Sequence, residues 1–377
     1  MSRPRTSLFR TALVVSLTLA LGCVPSSDGG GASDASGGGN GKSGAKRIIL
    51  LTNGDSPFWD ACRVGLQEAE KNLKLPESGL AAIMEVNDGT PGGQLDKLRQ
   101  FASQSDIVGV AVSALDASNP AVADALKGLQ EKGVHVVCVD SDIDREKFRD
   151  ARSYYIGTDN YVGGRELGIA AKHLLQARKV KTGKYVQFVG RTGAQNAMER
   201  MDGFKDAVGT AYEEAYRMGD EMDRTRAREN VRNAMINHRD LVALVGIWSY
   251  NAPAIVDVVK QEDKRDDYSI VVFDAEPAAV VQMGQGFIDV MIVQNPYEMG
   301  YQAVRLLNAM LEDDKKTIQE MFPDAGKKDG DIYDTGLKAV VPDEKSPLKA
   351  EMFGKTTKFL TLGEFKKWLD EYNLTGS

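Results

Sequence analysis

Cysteine and histidine are scarce in this chain, and their scarcity removes whole classes of chemistry. Three of each occur in 377 residues. Cys23, Cys62 and Cys138 give no disulfide framework and no metal-ligand spacing. Cys62 falls in a helical pattern and Cys138 in a strand, so both read as buried thiols, with a bridge between them as the alternative. His135, His173 and His238 lie in ordinary strand or helix contexts. There is no GxSxG, no HExxH, no Walker-type GxxxxGK and no GxGxxG. Residues 140–151, DSDIDREKFRDA, open like a calcium loop. The sixth place, however, holds Arg145 where glycine makes the turn, and the twelfth holds Ala151 where a glutamate would grip the ion. The run reads as a polar loop; no metal, no cofactor and no enzyme are expected.

Positive charge is also in deficit. Lys and Arg total 47 against 54 Asp and Glu, a net −7. Setting aside Arg3, Arg5 and Arg10 of the N-terminal segment takes this to −10, that is −7 minus 3. No general nucleic-acid binder is built this way. A long hydrophobic run is missing as well. Residues 11–22, TALVVSLTLALG, fall short of the roughly 17–25 residues that cross a bilayer. With the basic stretch before them they have the layout of a secretory signal. The segment ends LALGC, which resembles a bacterial lipobox and makes Cys23 the candidate for lipidation and membrane attachment. The usual order before the cysteine is Leu then a small residue, and here it is Ala20 then Leu21; an ordinary signal with an incidental cysteine is the alternative. Residues 24–45 are Gly, Ser and Asp with almost nothing to bury, a flexible tether of roughly 25 Å reach.

From Lys46 onward, short apolar runs alternate with amphipathic stretches. RIILLTN, LAAIMEVND, IVGVAVSA, VHVVCVD, YYIGTD, KYVQFVG, LVALVGIW, SIVVFDAE, DVMIVQN and LKAVVP read as strands, most of them apolar throughout, as in parallel sheets covered on both faces. Segments such as GQLDKLRQFASQ and AVADALKGLQEKG between them read as helices. The pattern predicts two α/β lobes with doubly wound parallel sheets. In LTNGDSPFWDAC, Ser56 suits a helix N-cap and Pro57 the first turn. Trp59, Cys62, Leu66, Ala69 and Leu73 form one apolar stripe. Trp59 heads that stripe, while Phe58, about 100° round the helix, faces the loop. A second amphipathic helix, with Phe365, Trp368, Leu369 and Tyr372, is expected to pack on the body near the C-terminus.

Ligands of open parallel sheets bind beyond the carboxyl ends of the strands. Those ends carry Asn53, Asp55, Asn87, Asp88, Ser113, Asp140 and Asp159, then Ser249, Asn251, Asp274, Gln294 and Asn295. Phe58, Trp59, Trp248 and Tyr250 are interleaved. Planar amides and carboxylates pair with hydroxyls, and aromatic faces accept the C–H face of a sugar ring. A phosphate would instead require a glycine-rich turn with Lys or Arg.

SPFW, VVCVDSD, IGTDNYVGGRELG, NAMERMDGF, VVFDAEP and IVQNPYEMG occur in one order that resembles the type I periplasmic sugar-binding proteins, the ribose- and galactose-type receptors of ABC importers. The resemblance covers residues 46–342. It implies two lobes joined by a three-segment hinge near 156–161, 293–298 and 334–340. The first lobe would be residues 46–158 plus 297–335, and the second 159–296 plus 336–377. The implied ligand residues are Ser56, Phe58, Trp59 and Asp140 from the first lobe, and Ser249, Asp274 and Gln294 from the second. Three positions depart from the family: Ser141 is short, Met198 replaces an arginine, and Met222 replaces an aromatic. Trp248 is expected to supply the missing ring and Asn196 part of the lost arginine contact. The implied function is capture of a small neutral sugar by a monomer, through hinge closure, for delivery to a membrane permease. Two further classes use this fold. A signalling receptor would pass its ligand to a membrane sensor; a repressor would need a DNA-binding head where the signal and tether stand.

Overall fold

The computed structural model describes residues 44–377. Cys23, the signal-like segment and residues 24–43 of the tether lie outside the described residues. The first part of the chain runs β1 (Lys46–Leu51), α1 (Phe58–Asn72), β2 (Leu80–Glu85), α2 (Pro91–Ala102), β3 (Ile107–Val112), α3 (Pro120–Gln130), β4 (His135–Val139) and β5 (Tyr155–Gly157). There follow α4 (Asn160–Ala177), β6 (Gly183–Val189), α5 (Gln195–Val208), β7 (Tyr212–Gly219), α6 (Arg224–Asn237), β8 (Leu241–Gly246) and α7 (Asn251–Gln261). Then come β9 (Ser269–Phe273), α8 (Pro277–Gly284), β10 (Val290–Val293), α9 (Pro296–Leu311) and α10 (Lys315–Met321). The chain closes with β11 (Ile332–Asp334), β12 (Leu337–Val341), β13 (Thr357–Thr361) and α11 (Leu362–Glu371).

Two sheets result, one per lobe. The first has the order β11-β5-β4-β3-β1-β2 and is parallel throughout. The second has the order β13-β12-β10-β9-β8-β6-β7. Apolar residues fill both faces of each sheet, which is why the central strands show no alternation: Ile48 to Leu51 are all buried, as are all five residues of β9. Three strands are hard to see in the sequence. β7, YEEAYRMG, is an edge strand with a largely half-exposed, charged face. β11 and β13 also sit at sheet edges.

The chain passes between the sheets after Gly157, after Val293 and after Asp334. One expectation is corrected here. LKAVVP was read with the parallel strands, but β12 runs antiparallel to β10. The reason is the hinge. β10 ends there and β12 starts there, two residues after β11, so the neighbours must point opposite ways.

Each lobe is braced by a pair of helices in close contact. In the first, α1 and α9 approach at Gly65 and Gly300, where a Cβ would meet the Tyr297 and Cys62 carbonyl oxygens at 1.9 and 2.0 Å. In the second, α4 and α5 approach at Gly164 and Gly203, against the Arg200 and Tyr161 carbonyls at 2.1 and 2.2 Å. Cys62 and Cys138 are buried free thiols. α11 buries Phe365 and Leu369 against the second lobe and is held at its start by a Thr361–Glu364 capping box. Ser56 is not the cap of α1. Pro57 occupies that place without a side-chain bond, and Ser56 contributes its carbonyl to the Trp59 amide at 3.0 Å.

Gly164→Ala places a methyl group against backbone that has nowhere to retreat. It is expected to destabilise the second lobe by about 1–3 kcal/mol. Thermal melts of the variant check this; a midpoint equal to that of the parent would show that α4 and α5 have slack.

Candidate binding site

The strand ends of both lobes converge on one cavity of about 530 Å³, measured with its mouth open to solvent. The segment after β1 brings Asn53, Asp55 and Ser56, and the first turn of α1 brings Phe58 and Trp59. Asp140 follows β4. From the other side, α5 brings Asn196 and Arg200, and the turn before α6 brings Met222. Trp248, Ser249 and Tyr250 follow β8, Asp274 follows β9 and Gln294 follows β10. All nine candidate residues from the sequence (Ser56, Phe58, Trp59, Asp140, Asn196, Trp248, Ser249, Asp274 and Gln294) line this one cavity.

Asp140 and Asp274 occupy equivalent bends, one in each lobe. Both have left-handed backbones, with φ of 63° and 62°, a conformation that Asp tolerates better than most residues. Asp140 accepts from the Ser113 hydroxyl at 2.8 Å. Asp274 accepts from the Gln294 amide nitrogen of the main chain at 3.2 Å, and from its side-chain nitrogen at 3.2 and 3.1 Å. Burial raises both carboxyls above the usual range. That of Asp274 is pushed up to about 6, with Arg200 and Gln294 opposing the rise. For Asp140 the opposing groups are Arg200, Ser113 and Asn196.

Arg200 is the residue that the sequence reading missed. It is 1 % exposed, with Nη1 3.8 Å from the Asp274 carboxylate and the guanidinium 4.2 Å over the Phe273 ring. Nε donates to Asn160 Oδ1 at 2.9 Å and Nη1 to the Ile247 carbonyl at 3.2 Å. Nη2 is buried without a partner. The expected loss of an arginine from the cleft is therefore corrected. Met198 lies 39 % exposed and does not line the cavity, but two positions on, Arg200 does. A signal was present: Ala197, Met201, Phe204 and Val208 form the buried stripe of α5, and Arg200 sits within it. Arg224 also lines the cavity, paired with Glu276 at 2.5 Å.

The rings are set by their neighbours. Phe58 and Trp59 meet edge to face at 5.1 Å and 89°. Both are buried, so the sequence division into a core ring and a loop ring does not hold; each joins the core and lines the cleft. Trp248 donates Nε1–H to Asn196 Oδ1 at 3.2 Å, which couples the two residues expected to act together. The Tyr250 hydroxyl donates to Asp220, which also accepts from Asn251 at 2.9 Å. Asp220 is pushed up to about 6, chiefly by burial. Met222 reaches across to the first lobe, where a Cβ on Gly54 would lie 2.3 Å from its methyl carbon. Arg145 to Glu199 at 3.4 Å and Arg191 to the Gly89 carbonyl at 3.3 Å also join the lobes.

Known proteins share this fold. The profile of a family described as periplasmic binding protein domain matches residues 48–316. The chain belongs to the periplasmic binding protein family. A curated relative, the ribose import binding protein of Salmonella typhimurium, is 22 % identical over 279 residues, spanning 73 % of this chain and 87 % of the relative. Among solved structures, a solute-binding protein of Burkholderia graminis, in complex with D-arabinose, superposes with a TM-score of 0.66 at 22 % identity. It covers 82 % of this chain, and the match takes in 99 % of its own. A solute-binding protein of Agrobacterium vitis with bound D-fucose gives 0.68 at 20 % identity, covering 81 % and 98 % of the two chains. This periplasmic binding protein thus has the type I fold, and its family binds solutes without catalysing a reaction on them.

The raised carboxyls of Asp274 and Asp220 fix the sign of a pH effect. Each has a folded value of about 6 against an ordinary value of 3.8. The folded chain therefore holds these protons more tightly than the unfolded chain, and stability withheld at neutral pH returns as pH falls from above 6 toward 4. Relative to an Asp220→Asn/Asp274→Asn variant, the ligand-free protein should gain melting temperature between pH 7 and pH 5. Parallel pH profiles for the two proteins would refute the assignment.

Proposed function

We propose that this protein is an extracytoplasmic solute receptor that captures a small neutral sugar, a monosaccharide or polyol, in the interlobe cleft. The observation that carries the reading is a pair of orphaned polar atoms. Arg200 Nη2 is a buried donor without an acceptor, and Gln294 Oε1 a buried acceptor without a donor. Both residues line the same cavity as two buried carboxylates. A hydroxyl both donates and accepts, so a ligand with several hydroxyls satisfies this set where a purely anionic or cationic one satisfies half of it. Phe58, Trp59 and Trp248 supply flat faces for the C–H side of a ring. The sugars named for the relatives, ribose, D-arabinose and D-fucose, belong to this class.

The mechanism is hinge closure. Residues 46–158 with 297–335 move against residues 159–296 with 336–377, and a ligand touching both lobes favours the closed form by its differential affinity. The closed face then presents the sugar to an ABC importer's permease, with the receptor acting as a monomer. The second reading, a signalling receptor on the same fold, shares this cleft and differs in the membrane partner. Cys23 is the proposed point of lipid attachment, and the tether leaves the lobes free to reach the membrane protein.

A thermal-shift screen against pentoses, hexoses, deoxysugars and polyols tests the ligand class. A sugar at a hundred times its Kd adds about 2.7 kcal/mol, a shift of several degrees. Asp140→Ala and Asp274→Ala are expected to abolish the shift and Trp248→Ala to reduce it. A stable protein with no hit across the panel would overturn the sugar reading. The anchor has its own test. Cys23→Ser should move the protein from the membrane to the soluble fraction of cells, and an unchanged distribution would remove the lipid.

A further inference from the structure

We infer that Tyr155 and Asn160 are positioning residues, joined in a buried relay that ties the first passage of the hinge to both walls of the cleft. The relay starts at Asp140 in the first lobe. The hydroxyl of Tyr155, the first residue of β5, donates to the Asp140 carbonyl at 2.8 Å and lies 3.2 Å from the Thr158 carbonyl. Asn160, the first residue of α4, donates Nδ2–H to the Tyr155 oxygen at 3.3 Å. Its Oδ1 accepts from Arg200 Nε at 2.9 Å in the second lobe. Tyr155 and Asn160 are completely buried, and Asp140 and Arg200 are no more than 3 % exposed.

Gly157 makes the relay sterically feasible. A Cβ there would stand 2.2 Å from the Tyr155 hydroxyl oxygen, so glycine lets the phenol cross the passage. The Gly157 carbonyl accepts from both the amide and the hydroxyl of Thr335, at 2.7 and 3.0 Å. Thr335 lies in the third passage. The relay is therefore fastened to two of the three crossings, and rotation of the backbone between Gly157 and Asn160 must break or lengthen one of its bonds. Buried groups that lose their partners are costly, so the relay favours one hinge angle and holds Asp140 and Arg200 in register at that angle. Asp140 and Arg200 would touch ligand; Tyr155 and Asn160 act through them.

The test uses spin labels on cysteines introduced at the exposed positions Glu131 and Glu262, one in each lobe, in a Cys23→Ser background, the thiols of Cys62 and Cys138 being buried. Tyr155→Phe and Asn160→Ala are each expected to broaden the ligand-free interlobe distances toward longer values. The double variant should go no further than the more affected single one, as for residues in one chain of bonds. Asn160→Asp, near-isosteric with the parent, keeps the acceptor for Arg200 and loses the donor to Tyr155. It should fall between the parent and Asn160→Ala, and serves if Tyr155→Phe does not fold. Affinity for whichever sugar the screen finds should fall roughly tenfold in the single variants, about what one hydrogen bond commands. That arm rests on the sugar reading and the distance arm does not, so failure of one is distinguishable from failure of the other. Folded variants with the parent's distance distribution, or additive effects in the double variant, would overturn the relay.

Discussion

Arg200 carries a positive charge into the interior of the molecule, where water does not screen it. Asp274 stands 3.8 Å away in the same lobe, and the field of Arg200 also reaches Asp140 in the other lobe. Three buried charges are expensive to desolvate, and such sets persist only when their remaining donors and acceptors are satisfied. Here they are satisfied in part: Asn160, the Ile247 carbonyl, Ser113 and Gln294 each take a share, and one guanidinium nitrogen is left over. That incompleteness is what a binding site requires. A site closed on itself would have no differential interaction to offer a ligand, and without one no hinge equilibrium shifts.

The scaffold keeps this arrangement in register through close backbone contacts. Gly164 of α4 rests against the Arg200 carbonyl, so the path of α5 is set by a glycine that no side chain could replace without displacing the arginine. Aspartates at matching bends after β4 and β9 give each lobe one carboxylate at the mouth. The polar run of residues 140–151 finds its physical use here. Arg152 is buried between Asp142 and Asp331, bracing the first lobe, while Arg145 bridges Asp142 and Glu199 across the cleft. Met222 and Arg191 hold the opposite rim against the loop residues Gly54 and Gly89. The two lobes are clasped on both sides of the cavity, one side mainly by charge and the other mainly by a thioether.

Most of the fold was legible because buried strands announce themselves as largely apolar runs, and ten of them were visible. β7, β11 and β13 were not, since edge strands bury little and so need no such composition. The candidate site was legible to the extent that strand ends point to it: Asp140, Trp248, Ser249, Asp274 and Gln294 follow strands directly. Arg200 escaped because it stands in mid-helix, where an arginine is ordinarily solvated and only its place on an apolar stripe betrays burial. The direction of β12 escaped for another reason. It depends on which side of the sheet the chain enters, and composition carries no information about that.

The sequence by itself determined the alternation of strand and helix, the two lobes, and the aromatic and carboxylate character of the strand ends. These follow from local propensity, hydrophobic period and residue chemistry, which are short-range properties. Only the tertiary structure decided which polar groups face one another, which arginine enters the cleft, and which donor and acceptor remain unpaired. Those are relations between residues as far apart in the chain as Asn53 and Gln294, set by how two glycine-paired sets of helices and three hinge passages bring the lobes together.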